Sequence, residues 1–362
     1  MGMTTRDERM ARAIERLTER ERLVFTYSAY ERLEDHEIAA LFGVSVEDVE
    51  RLRLTATRLV VDAHHGENMR GRAEQVLTAR FSDLCAIKPD GSRLANLRPL
   101  VIPTIGDREL ESALRDIARG DGNEMLWERK EQALRPPALH SIFSSCGLAL
   151  NAFGPWRVKP ESLELLGESN YRELRFEVKL RIFPDGRRSP NLDVVLSDSE
   201  RLTAVESKLT EHLTGGQHAA FKPSYEEVIS RAHESWQTLY ERLKRAPDAF
   251  NYLDAAQLVR HYLGIKTQTA SGGAHAGKRP VLVYLYWEPS NAAELQPCRT
   301  HAEEIRDLAT HVKDPDLSFR VLTYRELWDA WMIRSEPPWV AEHVKWLEDR
   351  YAVSMPPSTD LS

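Results

Sequence analysis

Apolar residues recur at helical spacing over residues 5–61, at Ile14, Leu17, Leu23, Val24, Leu33, Ile38 and Leu41. Such spacing predicts amphipathic helices. Gly43-Val44-Ser45 breaks the pattern with a turn and an N-cap serine. A further helix then carries Val46, Val49, Leu52 and Leu59 on one side. Residues 62–80 are polar and read as a linker, and 81–139 mix short apolar runs with turn signals. Ser141 to Phe153 suits a short apolar helix. Leu174, Phe176, Val178, Leu180 and Ile182 then alternate with charged residues, a period of 2 that predicts a strand. Phe183-Pro184-Asp185-Gly186 closes it with a turn.

Leu192 to Leu196 and Leu202 to Leu209 read as two more strands. Tyr225 to Lys244 is expected to be one long amphipathic helix, and Leu253 to Leu263 another. Residues 267–278 read as a flexible loop. Val281 to Trp287 is a buried-strand run, His301 to His311 a helix, and Leu317 to Thr323 a strand. Tyr324 to Tyr351 reads as helix broken at Pro337-Pro338. Pro356 to Ser362 reads as disordered. The pattern divides the chain into a helical domain at 1–61, a linker and connecting segment at 62–119, and an α/β domain at 120–355.

Composition narrows the class. The 362 residues are 42% hydrophobic and 29% charged, which is globular rather than disordered or fibrous. Three cysteines with no CxxC exclude a disulfide framework and an orthodox zinc site. Residues 1–10 lack the apolar core of a signal peptide, and no run of 18 apolar residues predicts a membrane span. The expected compartment is the cytoplasm. A net charge of −7 argues against a broadly basic coat for nucleic acid but allows a local basic groove.

Chemistry concentrates in Pro190-Asn191-Leu192-Asp193 and Glu206-Ser207-Lys208. Asp193 lies in one strand, thirteen residues before Glu206 in the next, with Ser197-Asp198-Ser199-Glu200 as the hairpin connection. Alternation puts Glu206 and Lys208 on one face. Neighbouring strands run about 4.8 Å apart, so Asp193 can meet Glu206 across the ladder. Two converging carboxylates suit Mg²⁺, with Mn²⁺ as a substitute, because such ions take oxygen ligands. A lysine beside them can orient or deprotonate water, or offset charge in phosphodiester hydrolysis.

These residues resemble the PD-(D/E)XK, or restriction-endonuclease-like, nuclease superfamily. Ser144-Ser145 followed by Leu148-Ala149-Leu150-Asn151-Ala152-Phe153-Gly154 resembles a bacterial restriction-endonuclease group within it. The resemblance spans roughly 120–350. It implies an αβββαβ core with Asp193, Glu206 and Lys208 catalytic and the two carboxylates holding the metal. The proline stands three positions before the aspartate rather than one. The first core helix carries no acidic residue. Glu124 is the candidate for that further acid. Ser144, Ser145, Asn151, Gln257 and His261 are candidate substrate contacts or structural caps, with Asp254, Gln257 and His261 on one helix face. His64, His65 and His212 lack ligand spacing and read as surface.

Asp35 to Val49, with Leu17-Thr18-Glu19-Arg20-Glu21-Arg22-Leu23-Val24-Phe25 upstream, resembles the helix-turn-helix of sigma-factor region 4. Its second helix opens with Glu47 and Asp48, and residues 1–60 hold ten Lys/Arg against twelve Asp/Glu. Arg51, Arg53 and Arg58 are the candidate phosphate contacts. A bundle used for protein contact or dimerisation is the other reading. The chain is therefore expected to be a Mg²⁺-dependent DNA endonuclease, in restriction or phage defence. RNA remains open as a substrate. A homodimer is expected from the tryptophans of 324–351, which also suit a core. The alternative is a non-catalytic nucleic-acid-binding regulator that retains a nuclease fold.

Overall fold

The computed structural model describes residues 18–29, 33–53, 69–81, 98–120, 125, 128–130, 133–135, 139, 141–183, 189–334 and 337–355. The chain forms two compact units, Met1–Gln75 and Val76–Ser362. Glu124, Arg58, His64, His65, the Pro184-Asp185-Gly186 turn and Pro356 to Ser362 lie outside the described residues.

In the first unit, α1 (Glu19–Ala29), α2 (Asp35–Phe42) and α3 (46–53) enclose Val24, Ile38, Ala39 and Val49. Gly43 ends α2 with φ 64°, a left-handed conformation that suits a residue without Cβ. Ser45 caps α3 as expected: its Oγ accepts from Asp48 N at 3.1 Å and donates to the Asp48 carboxylate at 2.8 Å.

The stretch read as a polar linker contains α4 (Met69–Arg80). Ala73 and Leu77 are fully buried in it. Its arginines and glutamate obscure so short an apolar set, and Arg70 pairs with Glu74 one turn on.

The second unit is built on a sheet. Helix α5 (Asp107–Arg119) buries Leu110, Ala113, Leu114 and Ile117 and packs on the sheet's first strand. A short hairpin, β1 (Glu128–Lys130) and β2 (Ala133–Arg135), precedes α6 (Ser145–Phe153). Strands β3 (Glu173–Lys179), β4 (Asn191–Ser197) and β5 (Arg201–Lys208) follow as an antiparallel meander. The β4–β5 turn is held by Asp198, whose carboxylate accepts from Glu200 N and Arg201 N at 2.7 and 2.8 Å.

Helices α7 (Tyr225–Ile229), α8 (Glu234–Arg245) and α9 (Ala255–Thr269) lead to β6 (Arg279–Tyr286), parallel to β5. After α10 (Gln296–His311), β7 (Ser318–Thr323) adds in parallel, and the sheet order is β3-β4-β5-β6-β7. Helices α11 (Tyr324–Arg334) and α12 (Trp339–Tyr351) close the unit.

Tyr225 to Lys244 is two helices rather than one. His233 is extended (φ −61°, ψ 146°), gives its N–H to the Tyr262 hydroxyl at 3.0 Å, and caps α8 through its ring. Under the α8–α9 face lies the core of Leu202, Ala204, Leu282, Trp236 and Tyr262, the last two stacked at 4.2 Å. None of the helices among the described residues is long and apolar enough to cross a membrane.

The tryptophans expected to offer a dimer surface serve mainly the interior. Trp328 and Trp331 are buried, and Trp156 contacts both Trp331 and Trp339. Only Trp346 of the four is strongly exposed, at 41%.

Candidate active site

The ladders decide which side chains meet. The β4–β5 pairs Val194↔Val205 and Val195↔Ala204, carried on one step, set Asp193 opposite Glu206. The β3–β4 pairs Phe176↔Val194 and Val178↔Leu192 set Glu177 opposite Asp193. Directly opposed residues in regular strands share a face, so Asp193 and Glu206 are brought together, while Glu177 lies at a break in the alternation of β3. On the other side of β5, Glu206 aligns with Tyr284 and Lys208 with Tyr286.

Glu206 is 3% exposed, and its two oxygens are engaged from opposite sides. Lys208 Nζ donates to Oε1 at 2.6 Å, and His261 Nε2 of α9 stands 2.8 Å from Oε2 without the alignment of a full hydrogen bond. Burial alone would raise the Glu206 pKa, but Lys208 and His261 hold it down, to about 2. Burial works against the Lys208 charge too. The Glu206, Glu211 and Asp193 carboxylates outweigh it and hold the ammonium well above the usual lysine range.

Asp193 behaves oppositely. Its Oδ2 accepts from Ser207 N at 2.6 Å. Burial, then the charges of Glu206 and Glu177, push its carboxyl well above the usual range. Two of these three acids are thus unlike: one is neutralised by partners, the other is crowded by like charge.

Glu177, a residue that strand alternation presents as one more polar position, is buried and has φ 51°. Left-handed backbone is uncommon for a residue with a side chain. Gly120, just past α5, makes room for it: a Cβ there would lie 2.6 Å from Glu177 O.

Of the other candidates, His261 is at the site and Gln257 lies one turn before it on α9. Asp254 caps α9, accepting from Gln257 N at 2.8 Å. Ser144 caps α6, with its Oγ accepting from Gly147 N at 3.0 Å. The Ser145 carbonyl accepts from Ser207 Oγ at 3.4 Å, on the opposite face of the sheet. Asn151 is buried in a framework network, accepting from Ile102 N and donating to Leu100 O and Tyr351 Oη.

His212, expected at the surface, is instead 3% exposed. Its ring lies 4.5 Å from that of His301, which shares a 3.0 Å hydrogen bond with the Tyr284 hydroxyl. A histidine just past a strand looks solvent-facing until the short turn Glu211–Leu213 folds it inward.

In the first unit, Arg53 grips Asp35 through two contacts at 2.8 and 3.0 Å, and exposed Arg51 reaches Asp48 at 2.7 Å. Among the described residues no group of three or more His, Cys, Asp or Glu side chains is arranged to hold a metal ion.

The family model described as Restriction Endonuclease associating with ARP matches residues 109–352. That of sigma-70, region 4 matches residues 7–54. No curated protein and no solved structure matches the chain. Both resemblances read from the sequence agree with these matches. The first match covers well over half of the chain and contains Glu177, Asp193, Glu206, Lys208 and His261. The chain belongs to the family Restriction Endonuclease associating with ARP, with a sigma-70 region 4 segment at its N-terminus.

Proposed function

We propose that this protein is a divalent-cation-dependent DNA endonuclease whose reacting groups are Asp193, Glu206 and Lys208. The observation that carries the reading is Asp193 one step past the Val194↔Val205 pair, beside Glu206, with Lys208 bound to Glu206, in a restriction-endonuclease family member. The order α6, β3-β4-β5, the α7–α9 helices and β6 supports an αβββαβ core of the PD-(D/E)XK kind.

The donor set fits Mg²⁺ or Mn²⁺. Both carboxylates are hard oxygen donors, and the crowding that raises Asp193 is relieved by a cation. Mg²⁺ is commonly held by one or two carboxylates, with water and substrate phosphate completing its shell. Two protein ligands therefore suffice without a closed cage. When bound, the ion supplies Lewis-acid activation of water and phosphoryl oxygen.

The chain's own residues do the remainder. Ser207 N fixes Asp193, and His261 and Lys208 fix Glu206. Lys208, held as an ammonium, serves as a donor to the charge that develops on the phosphoryl oxygens rather than as a base. Gln257, one turn before His261 on α9, is the substrate contact this reading assigns. The sigma region 4 segment favours DNA over RNA as the polymer engaged, with Arg51 as its exposed cation and Arg53 tied to Asp35. Restriction or phage defence is the cellular role this chemistry suits. Retention of Asp193, Glu206 and Lys208, with Lys208 bound to Glu206 and Asp193 within reach of both charges, favours an active enzyme over a regulator that only grips nucleic acid.

The test uses supercoiled plasmid with the purified full chain and Mg²⁺. Nicked or linear product is expected, and EDTA or Glu206→Ala is expected to abolish it. Cleavage that persists in Glu206→Ala would overturn the assignment.

A further inference from the structure

The ladder between β4 and β5 ends where the reacting groups begin. Its last pair is Val194↔Val205, although β4 stays paired with β3 down to Asn191 and β5 stays paired with β6 up to Lys208. The two strands therefore part at Asp193 and Glu206. Ser207 N–H, which an unbroken ladder would turn to a β4 carbonyl, donates instead to Asp193 Oδ2 at 2.6 Å. On the β4 side, no backbone ladder fixes this end of β5.

The hold comes from the back of the sheet. Ser207 is fully buried, and alternation turns its side chain to the face opposite Glu206 and Lys208. Its hydroxyl meets the Tyr324 hydroxyl at 2.7 Å and the Ser145 carbonyl of α6 at 3.4 Å. A carbonyl only accepts, so the Ser207 proton goes to Ser145 O and the Tyr324 hydroxyl donates to Ser207 Oγ. Tyr324 is 1% exposed and opens α11 directly after β7, two strands away from β5. Among the described residues its hydroxyl bonds Ser207 alone. Phenylalanine would fill the same space, so the Ser207 bond is what accounts for the hydroxyl.

We propose that Tyr324 is a positioning residue of the site, acting through Ser207: it pins the parted end of β5 from behind and so fixes the Ser207 N–H that orients Asp193 beside Glu206. The assignment rests on the metal-dependent reading above. It places a determinant of that site on the far face of the sheet, 117 residues along the chain from Ser207.

The experiment is isothermal titration of Mn²⁺ alone into the full-length chain, with thermal melting in EDTA run in parallel. The proteins compared are wild type, Asp193→Asn, Tyr324→Phe, Ser207→Ala and the double variant of the last two. Wild type is expected to take up Mn²⁺, and Asp193→Asn to lose it. Tyr324→Phe and Ser207→Ala should each weaken the affinity about tenfold, the usual scale for losing a group that orients a ligand. The double variant should lose no more than either single one, because the two hydroxyls act in series. A hydroxyl pair that only stabilised the core would lower the melting temperature and leave Mn²⁺ affinity alone.

Unchanged Mn²⁺ affinity in folded Tyr324→Phe would overturn the proposal. A loss of about a hundredfold in the double variant, the product of two independent effects, would overturn the route through Ser207. Should Ser207→Ala or the double variant fail to fold, Tyr324→Phe, which keeps the ring, decides by its own affinity. Failure of wild type to bind Mn²⁺, or full binding by Asp193→Asn, would instead overturn the metal reading of Asp193 and Glu206, and the Tyr324 role with it.

Discussion

Lys208 and Asp193 sit on neighbouring strands within one charge cluster, yet their environments drive them apart. Lys208 is bound to Glu206 at 2.6 Å and stays charged. Asp193 has one backbone donor and two acidic neighbours, so its carboxylate form is disfavoured. Because its folded pKa lies above the unfolded 3.8, the folded protein keeps a proton that the unfolded chain releases. Stability from this group therefore falls as pH rises through that window. Asp193→Asn should raise the stability of the EDTA-treated protein at pH 7 by about 1 kcal/mol, with the sign reversed once Mg²⁺ is present. Melting curves with and without Mg²⁺ check this; destabilisation of the cation-free protein would contradict it.

At this scale the sequence was informative about Asp193, Glu206 and Lys208, because a hairpin and a period of 2 suffice to align them. It was silent on Glu177, whose backbone angle and burial depend on Gly120 across the fold. It misled on His212, which only the turn after β5 carries inward.

Among the elements, α5 acts as the clamp that positions β3. Asp116 on its buried face holds Arg157 through two contacts at 2.8 and 3.1 Å, and Gly120 at its end admits the Glu177 backbone. Asp116→Ala would leave the Arg157 guanidinium buried without its partner, a loss of about 3–5 kcal/mol by the usual behaviour of such pairs. Gly120→Ala should cost about 1–3 kcal/mol through overpacking and should lower cleavage more than its stability loss explains. Chemical denaturation of both variants beside their cleavage rates checks this. A fully active, stable Gly120→Ala would show that β3 is not held in place there.

Strands were legible because apolar alternation is local. The break between α7 and α8 was not, since it depends on Tyr262, nearly thirty residues on, receiving the His233 N–H. Nor was α4 legible, because its buried positions, Met69, Gly71, Ala73 and Leu77, are interleaved with arginines and a glutamate.

On the scale of the molecule, besides His261 at the site, the larger unit buries three further histidines among the described residues, His212, His301 and His343, held neutral by burial. Burial lowers all three, His301 to about 3 and His343 to about 4, the latter despite its bond to Ala152 O. A depressed histidine adds stability that is present above the unfolded value of 6.5 and lost as pH falls toward the folded value. Each should contribute about 1 kcal/mol of loss between pH 6.5 and pH 5.5. Melting temperatures across that range are expected to fall steeply, and a flat profile would contradict the buried neutral state.

The first unit has its own core of Val24, Ile38, Ala39 and Val49 and holds none of the reacting groups. Removal of residues 1–65 should leave cation-dependent hydrolysis intact and reduce retention of duplex DNA, read by binding at two salt concentrations. Loss of hydrolysis in the folded truncated protein would contradict that division of labour.

The central claim is that Lys208, held as a cation by Glu206, stabilises charge on the phosphodiester during metal-dependent cleavage. Its most direct measurement is the rate of plasmid cleavage in Mg²⁺ by wild type and by Lys208→Ala, both first shown to be folded. The account predicts EDTA-sensitive cleavage by wild type and a loss of about a hundredfold or more in the variant, the usual scale for removing one such stabilising group. Equal rates in the two proteins, or no cleavage by wild type with any divalent cation, would contradict it.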